Sequence, residues 1–142
     1  YGPAPRPDMV MFRFAQWIFE ERPVRITGDG SQSRGFTYLD DIARGTILAL
    51  QPLGYEIINL GGHQVISIND LLAMIEKLAG KAARREYIDF HPADVMENYA
   101  NVEKARRILG WKPQFTLEEG VANLVEWYRA ERSWASQILT PG

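Results

Sequence analysis

A chain of 142 residues with 46% hydrophobic and 24% charged side chains has the size and make-up of one globular domain with a buried core. Its formal net charge of −2 offers no basic field for nucleic acid or an anionic membrane surface, the absence of cysteine excludes disulfides and thiolate metal sites, and no apolar run approaches the roughly 18 residues of a membrane span. These features fit a reducing, cytoplasmic setting. The start at Tyr1-Gly-Pro, with no initiator methionine or signal peptide, reads as a cut from something longer.

Pro3, Pro5 and Pro7 keep the entry extended or turned, and Asp8 is placed to cap a helix over Met9 to about Glu21. Met9, Val10, Met11, Phe12, Phe14, Ala15, Trp17, Ile18 and Phe19 cover nearly the whole circumference of that helix, so it should be buried on more than one side. Val24 to Thr27 alternates like a strand, Gly28-Asp-Gly-Ser31 is a turn, and Phe36-Thr-Tyr38 is a second short extended piece. Asp40 and Asp41 open a helix through about Leu50, with Ile42, Ala43, Thr46, Ile47 and Leu50 as its apolar stripe; capping of the helix start explains the two carboxylates.

Pro52 and Gly54 break the chain, and Tyr55 to Leu60 reads as a strand. Ser67-x-x-Asp70 is a near capping box for a helix from Ile68, striped by Leu71, Leu72, Ile75, Leu78 and Ala79 and stopped by Gly80. Glu86 to Phe90 alternates as another strand. A polar loop after Pro92 leads to a helix over Val102 to Leu109, ended by Gly110. Thr116-x-x-Glu119 is a full capping box for the last helix, striped by Leu117, Val121, Leu124, Val125 and Tyr128. The sum is an α/β chain in which helices dominate.

Gly28-x-Gly30 does not make a dinucleotide fingerprint, because position 33 is serine and the following residues look extended, whereas the fingerprint needs a third glycine opening a helix. Arg34, directly after this small-residue turn, offers a planar fork to phosphate oxygens; an ordinary surface arginine is the other local reading. Gln32 and Ser33 are either neutral hydrogen-bonding partners or turn residues. His63 and His91 lack Cys or Glu partners at metal spacing and read as loop histidines, and Asp94 lies in a Pro-flanked loop that suits a turn former. There is no Gly-x-Ser-x-Gly elbow, Walker loop or His-Glu-x-x-His.

Taken in order, these segments resemble the C-terminal, nucleotide-sugar-binding part of the extended short-chain dehydrogenases, the NAD-dependent nucleotide-sugar epimerases and dehydratases. The resemblance is carried by Arg6-Pro-Asp-Met9, Gly28-Asp-Gly-Ser-Gln-Ser-Arg34, Phe36-Thr-Tyr-Leu-Asp-Asp-Ile42, Ile57-Ile-Asn-Leu-Gly61, Pro92-Ala-Asp94, Lys104-Ala-x-x-x-Leu-Gly-Trp-Lys-Pro113 and Leu117-Glu-Glu-Gly120. It covers the chain to about Glu131 and is closest to the UDP-glucose and UDP-glucuronate 4-epimerases.

It implies one substrate-binding domain over residues 1–142, without the Gly-rich Rossmann half. It also implies that Arg34 binds the diphosphate of a UDP-sugar and Asp94 the ribose. The backbone of Arg25 to Thr27 would lie against uracil, and the helix start at Asp8 and Met9 would approach the phosphates through its backbone. Gln32, His91 and Asn98 fall at substrate-facing positions. Three residues depart from the family pattern. Gly35 stands where Asp is common, His91 where Arg or Gln is common, and Asn98 where some epimerases place Tyr or Thr.

The family's catalytic Tyr-x-x-x-Lys is not in this chain, since the six tyrosines are followed four positions on by Pro5, Ile42, Asn59, His91, Glu103 and Arg132. The resemblance therefore assigns NAD and the hydride shuttle to an N-terminal Rossmann half outside these residues, with no catalytic residue and no bound cofactor expected from this chain alone. The Met9–Glu21 helix and the Ile57–Leu60 strand read as surfaces shaped to meet that half. A dehydratase or decarboxylase lobe, a non-catalytic sugar-nucleotide module, and a homodimer or swapped arrangement that completes the fold are the other readings.

Overall fold

The computed structural model describes residues 1–62, 64–90 and 94–141, so the readings of His63 and His91 lie outside the described residues. The elements in order are α1 (Val10–Phe19), β1 (Pro23–Thr27), β2 (Ser33–Phe36), α2 (Leu39–Leu48), β3 (Gln64–Ser67), α3 (Ile68–Ala79), β4 (Arg84–Ile88), β5 (Glu97–Asn98), α4 (Glu103–Leu109) and α5 (Leu117–Ala135). β1 pairs in parallel with β4. β2 is the middle strand of a second sheet, antiparallel to β3 and parallel to β5.

α1, α3 and α5 pack on one another, and α1 on β1, around the main core, which includes Phe12, Phe14, Leu71, Leu72, Ile75, Val121, Leu124 and Tyr128. Seven apolar side chains of α1 are buried together with Gln16, as a helix apolar on all sides requires. The burial comes from this chain's own helices. α1 is therefore not the surface left open for a missing half, contrary to the reading from sequence.

The open apolar surface lies on α2 instead. There the buried residues are Asp41 and Gly45, while Ile47, and Leu50 just past the helix end, both expected on an inward stripe, are 67% and 84% exposed. Tyr55 to Leu60 also differs from expectation. It forms no ladder, because no described strand runs beside it and a strand needs a neighbour to bond. Its Ile58 and Leu60 pack instead on a small second core of Ala105, Leu109 and Trp111, while Tyr55 and Ile57 stay exposed.

The strand expected at Phe36–Tyr38 runs instead over Ser33–Phe36, with Tyr38 the N-cap of α2, and β3 and β5 are not foreseen from sequence. Asp8 does not cap α1. The N-cap is Met9, without a side-chain bond, and Asp8 pairs with Arg6 at 2.9 Å.

The caps at the other helices match the sequence. Ser67 Oγ accepts from Asp70 N–H at 3.0 Å, and α3 stops at Gly80 in the left-handed conformation, φ 69°. Thr116 Oγ1 accepts from Glu119 N–H at 3.2 Å, and Glu119 Oε2 accepts from Thr116 N–H at 2.9 Å. Thr116→Ala should cost about 0.5–2 kcal/mol, read as a lower urea midpoint with unchanged slope.

At the far end of α1, Glu20 accepts from Arg132 Nε at 2.8 Å and from Tyr128 Oη at 3.0 Å. The bond from Arg132 is the main reason its carboxyl sits below the ordinary value of 4.5. A depressed native pKa contributes stability above the unfolded value and loses it as pH falls through the native one. Melting temperature should therefore fall below about pH 4.5, and Arg132→Met should flatten part of that fall.

Candidate functional site: a cationic cavity between α1, β1 and β2

Leaving β1, the chain turns through Gly28 and Gly30, both at positive φ (63° and 77°), and re-enters as β2. Gln32, 6% exposed, closes this turn by donating its side-chain amide to Thr27 O at 2.7 Å. Ile68 N–H donates to Gln32 O and Asn69 N–H to Gly30 O, each at 3.0 Å, so the start of α3 fixes the turn from the other side. The turn leads to a strand, and a Cβ at Gly30 would meet Asn69 Oδ1 at 2.3 Å. It therefore offers neither the helix N-terminus nor the open glycine face that a dinucleotide pyrophosphate requires. Gly35 is held to glycine by a separate constraint: a Cβ there would lie 2.3 Å from the backbone oxygen of Gly62.

A cavity of about 220 Å³ opens between the first turns of α1, the end of β1 and the start of β2. Five residues singled out in the sequence line it: Arg25, Thr27, Gln32, Arg34 and Asp94. Asp8 and Met9 do not line it, although Val10, next in the chain, does. Asn98 pairs in register with Arg34 on β5 and is exposed, outside the lining.

Sequence reasoning missed Arg13, which also lines the cavity. The signal was present as the one cation in a helical run, Val10 to Phe19, whose only other polar residue is Gln16. α1 starts on the cavity, so its fourth residue reaches the wall.

Three guanidinium groups therefore meet one carboxylate, Asp94, in the lining. Arg25 is partly compensated by Glu86, 3.7 Å away on β4. Arg34 donates only to neutral carbonyls, Ser33 O at 2.8 Å and Met96 O at 3.4 Å. The Nε of Arg13 is buried with no hydrogen-bond partner. Burial lowers the Arg13 pKa and the charge of Asp8 opposes that shift; a guanidinium remains charged regardless. The lining thus carries more positive than negative charge, which suits an anionic group. Among the described residues no His, Cys, Asp and Glu cluster could hold a metal ion, and no helix is long and apolar enough to cross a membrane.

The strand edge beside the cavity adds backbone groups. Gly28 N–H bonds Ile88 O of β4 at 2.8 Å, so by strand alternation residues 25 and 27 turn their N–H and C=O to the free edge. Gln32 occupies Thr27 O there.

Residues 6–124 match the sequence profile of the family described as GDP-mannose 4,6 dehydratase. The chain is 57% identical over 128 residues to a UDP-glucuronate 4-epimerase of Thermodesulfobacterium geofontis, covering 89% of this chain and 40% of that protein. Its fold matches the C-terminal part of solved epimerases. The UDP-glucuronic acid 4-epimerase of Bacillus cereus, in complex with UDP-glucuronic acid and NAD, superposes with a TM-score of 0.86 at 36% identity, over 92% of this chain and 43% of that one. A UDP-glucose 4-epimerase of Thermotoga maritima, with UDP-glucose, gives 0.88 at 30% identity, over 93% and 44%. The chain thus spans less than half the length of these relatives, and it belongs to the GDP-mannose 4,6 dehydratase family of NAD-dependent nucleotide-sugar epimerases and dehydratases.

Proposed function

We propose that residues 1–142 act as one substrate-binding unit of a longer NAD-dependent UDP-sugar 4-epimerase, and that the α1–β1–β2 cavity holds the UDP group. The observation that carries this reading is the excess of guanidinium groups in the cavity lining, with Arg34 bonded only to neutral carbonyls. Arg34 and Arg13 would grip the diphosphate from two sides. The free edge of β1 would read the base, with Arg25 O accepting the uracil imide N–H and Thr27 N–H donating to a ring carbonyl. Asp94 would accept from the ribose hydroxyls. The backbone at Asp8 and Met9, with His91 and Asn98, completes the proposed substrate surface. A nucleotide anchored in this way can hold its sugar in reactive geometry while leaving the sugar free to turn.

The 4-epimerase reading is preferred over a dehydratase or decarboxylase because the relatives cited above are 4-epimerases. The glycine turn of this chain does not fit a dinucleotide, so NAD and its redox chemistry belong, on this reading, to an N-terminal half. That half would cover the exposed apolar residues of α2 and of the segment around Tyr55 and Ile57. It would also supply the remaining ligand contacts, so the chain alone should bind UDP more weakly than the chain joined to that half.

Calorimetric titration tests the reading. UDP should bind, NAD should give no heat with this chain alone, and Arg34→Ala should weaken UDP binding. Equal UDP affinity with and without Arg34 would contradict the assignment.

A further inference from the structure

The segment following α5 folds back along α1 toward the cavity. Gln16, fully buried, donates from Nε2 to Ala135 O at 3.1 Å and to Ile138 O at 2.8 Å, while its Oε1 accepts from Thr140 Oγ1 at 2.9 Å. Thr140 Oγ1 in turn accepts from Trp17 Nε1 at 3.0 Å. Farther along, Arg13 Nη1 reaches Pro141 O at 3.5 Å, the outer limit of a hydrogen bond. Arg13, Gln16 and Trp17 stand at i, i+3 and i+4, so they share one face of α1. Residues 135 to 141 run along that face in the reverse direction. The Arg13 guanidinium lies over the Trp17 ring, 5.4 Å from its centre.

We propose that residues 138–141 form a strap that positions Arg13 for the anion in the α1–β1–β2 cavity, with Thr140 and Gln16 as positioning residues. The proposal rests on the nucleotide-binding reading above. The strap holds the indole edge, the indole face supports the guanidinium, and the carbonyl of Pro141 accepts from one N–H of Arg13. A long arginine side chain loses substantial rotamer freedom when it grips a ligand. A support that fixes it beforehand removes part of that loss from the binding step. The buried Gln16 amide makes the strap more than a resting tail, because releasing residues 138–141 would leave its Oε1 and one of its two Nε2 N–H groups unpaired in the core, with only the bond to Ala135 O kept.

A double-mutant cycle in the full-length protein tests this, with UDP and uridine as ligands and calorimetry as the readout. Thr140→Val keeps the side-chain shape and removes both hydroxyl bonds. It should weaken UDP binding about five- to tenfold, leave uridine binding unchanged, and have no further effect in the Arg13→Ala background. Thr140→Ser should restore the affinity for UDP.

The strap is overturned if UDP affinity is unchanged by Thr140→Val, if uridine and UDP lose affinity equally, or if the loss persists without Arg13. Should the valine variant not fold, Thr140→Ala makes the same comparison. If the unaltered protein binds no UDP, the nucleotide reading fails and the strap falls with it. If it binds UDP and ignores the Thr140 substitution, the strap alone fails.

Discussion

Replacing Asp41 with alanine is expected to cost about 2–4 kcal/mol of stability, a large effect for a residue at a helix start. Asp41 is 1% exposed, and its carboxylate holds three donors: Arg44 Nη2 at 2.7 Å, Gln114 N–H at 2.8 Å and Phe115 N–H at 3.2 Å. Its backbone oxygen accepts from Trp111 Nε1 at 2.8 Å, and Arg44 also donates to Lys112 O. The residue therefore ties α2 to the segment that carries the chain from α4 into α5. Removing the carboxylate takes the acceptor from two part-buried backbone N–H groups and leaves Arg44 with Lys112 O alone. Asp40, exposed one position earlier, is the control: Asp40→Ala should change stability by less than about 0.5 kcal/mol. Urea unfolding with a common slope checks both. Equal, small shifts for the two variants would show that Asp41 only decorates a helix start.

The largest effect on binding should come from the two arginines that no carboxylate neutralises within hydrogen-bonding distance. A charge-assisted bond to phosphate contributes about 1.5–3 kcal/mol, so Arg34→Ala should weaken UDP affinity by roughly 10- to 150-fold. Arg34→Lys should recover only part of this, because an ammonium cannot offer two parallel N–H bonds. Arg13→Ala should weaken UDP by at least the five- to tenfold expected of Thr140→Val, since it removes the guanidinium that Trp17 and Pro141 hold in place. Neither change should alter uridine binding much. Titration of UDP, UMP and uridine against each variant separates a phosphate contact from a general loss of the site. A uniform loss across the three ligands would place both arginines outside the phosphate region.

Much of this architecture is legible in the sequence where local chemistry decides it. The Ser67 and Thr116 caps, the Gly80 stop and the helical stripes of α3 and α5 depend on residues within a few positions of one another, and each stands as read. Apart from the Asp8 cap, the failures share one cause. Asp41 reads locally as a helix-start carboxylate, yet its partners lie about seventy residues away. The apolar face of α2 and the Tyr55–Leu60 run carry signals for burial and strand pairing, but this chain provides no described neighbour to satisfy them. β3 and β5 form around β2 through long-range register, with no strong alternation of their own to announce them.

The cavity follows the same division. Arg25, Thr27, Gln32 and Arg34 lie close together in sequence, are named there by local chemistry or by the family resemblance, and line one cavity. Arg13 enters only through the packing of α1 beside β1 and β2. Gln32 was read as a ligand or a turn residue. Its bond to Thr27 O assigns its amide N–H to closing the turn.

The measurement that tests the central claim most directly is a crystal structure of the full-length protein grown with UDP. The account predicts the diphosphate between Arg34 and Arg13, the base along the free edge of Arg25 to Thr27, and the ribose toward Asp94. UDP bound elsewhere, with the α1–β1–β2 cavity holding no part of it, would contradict that account.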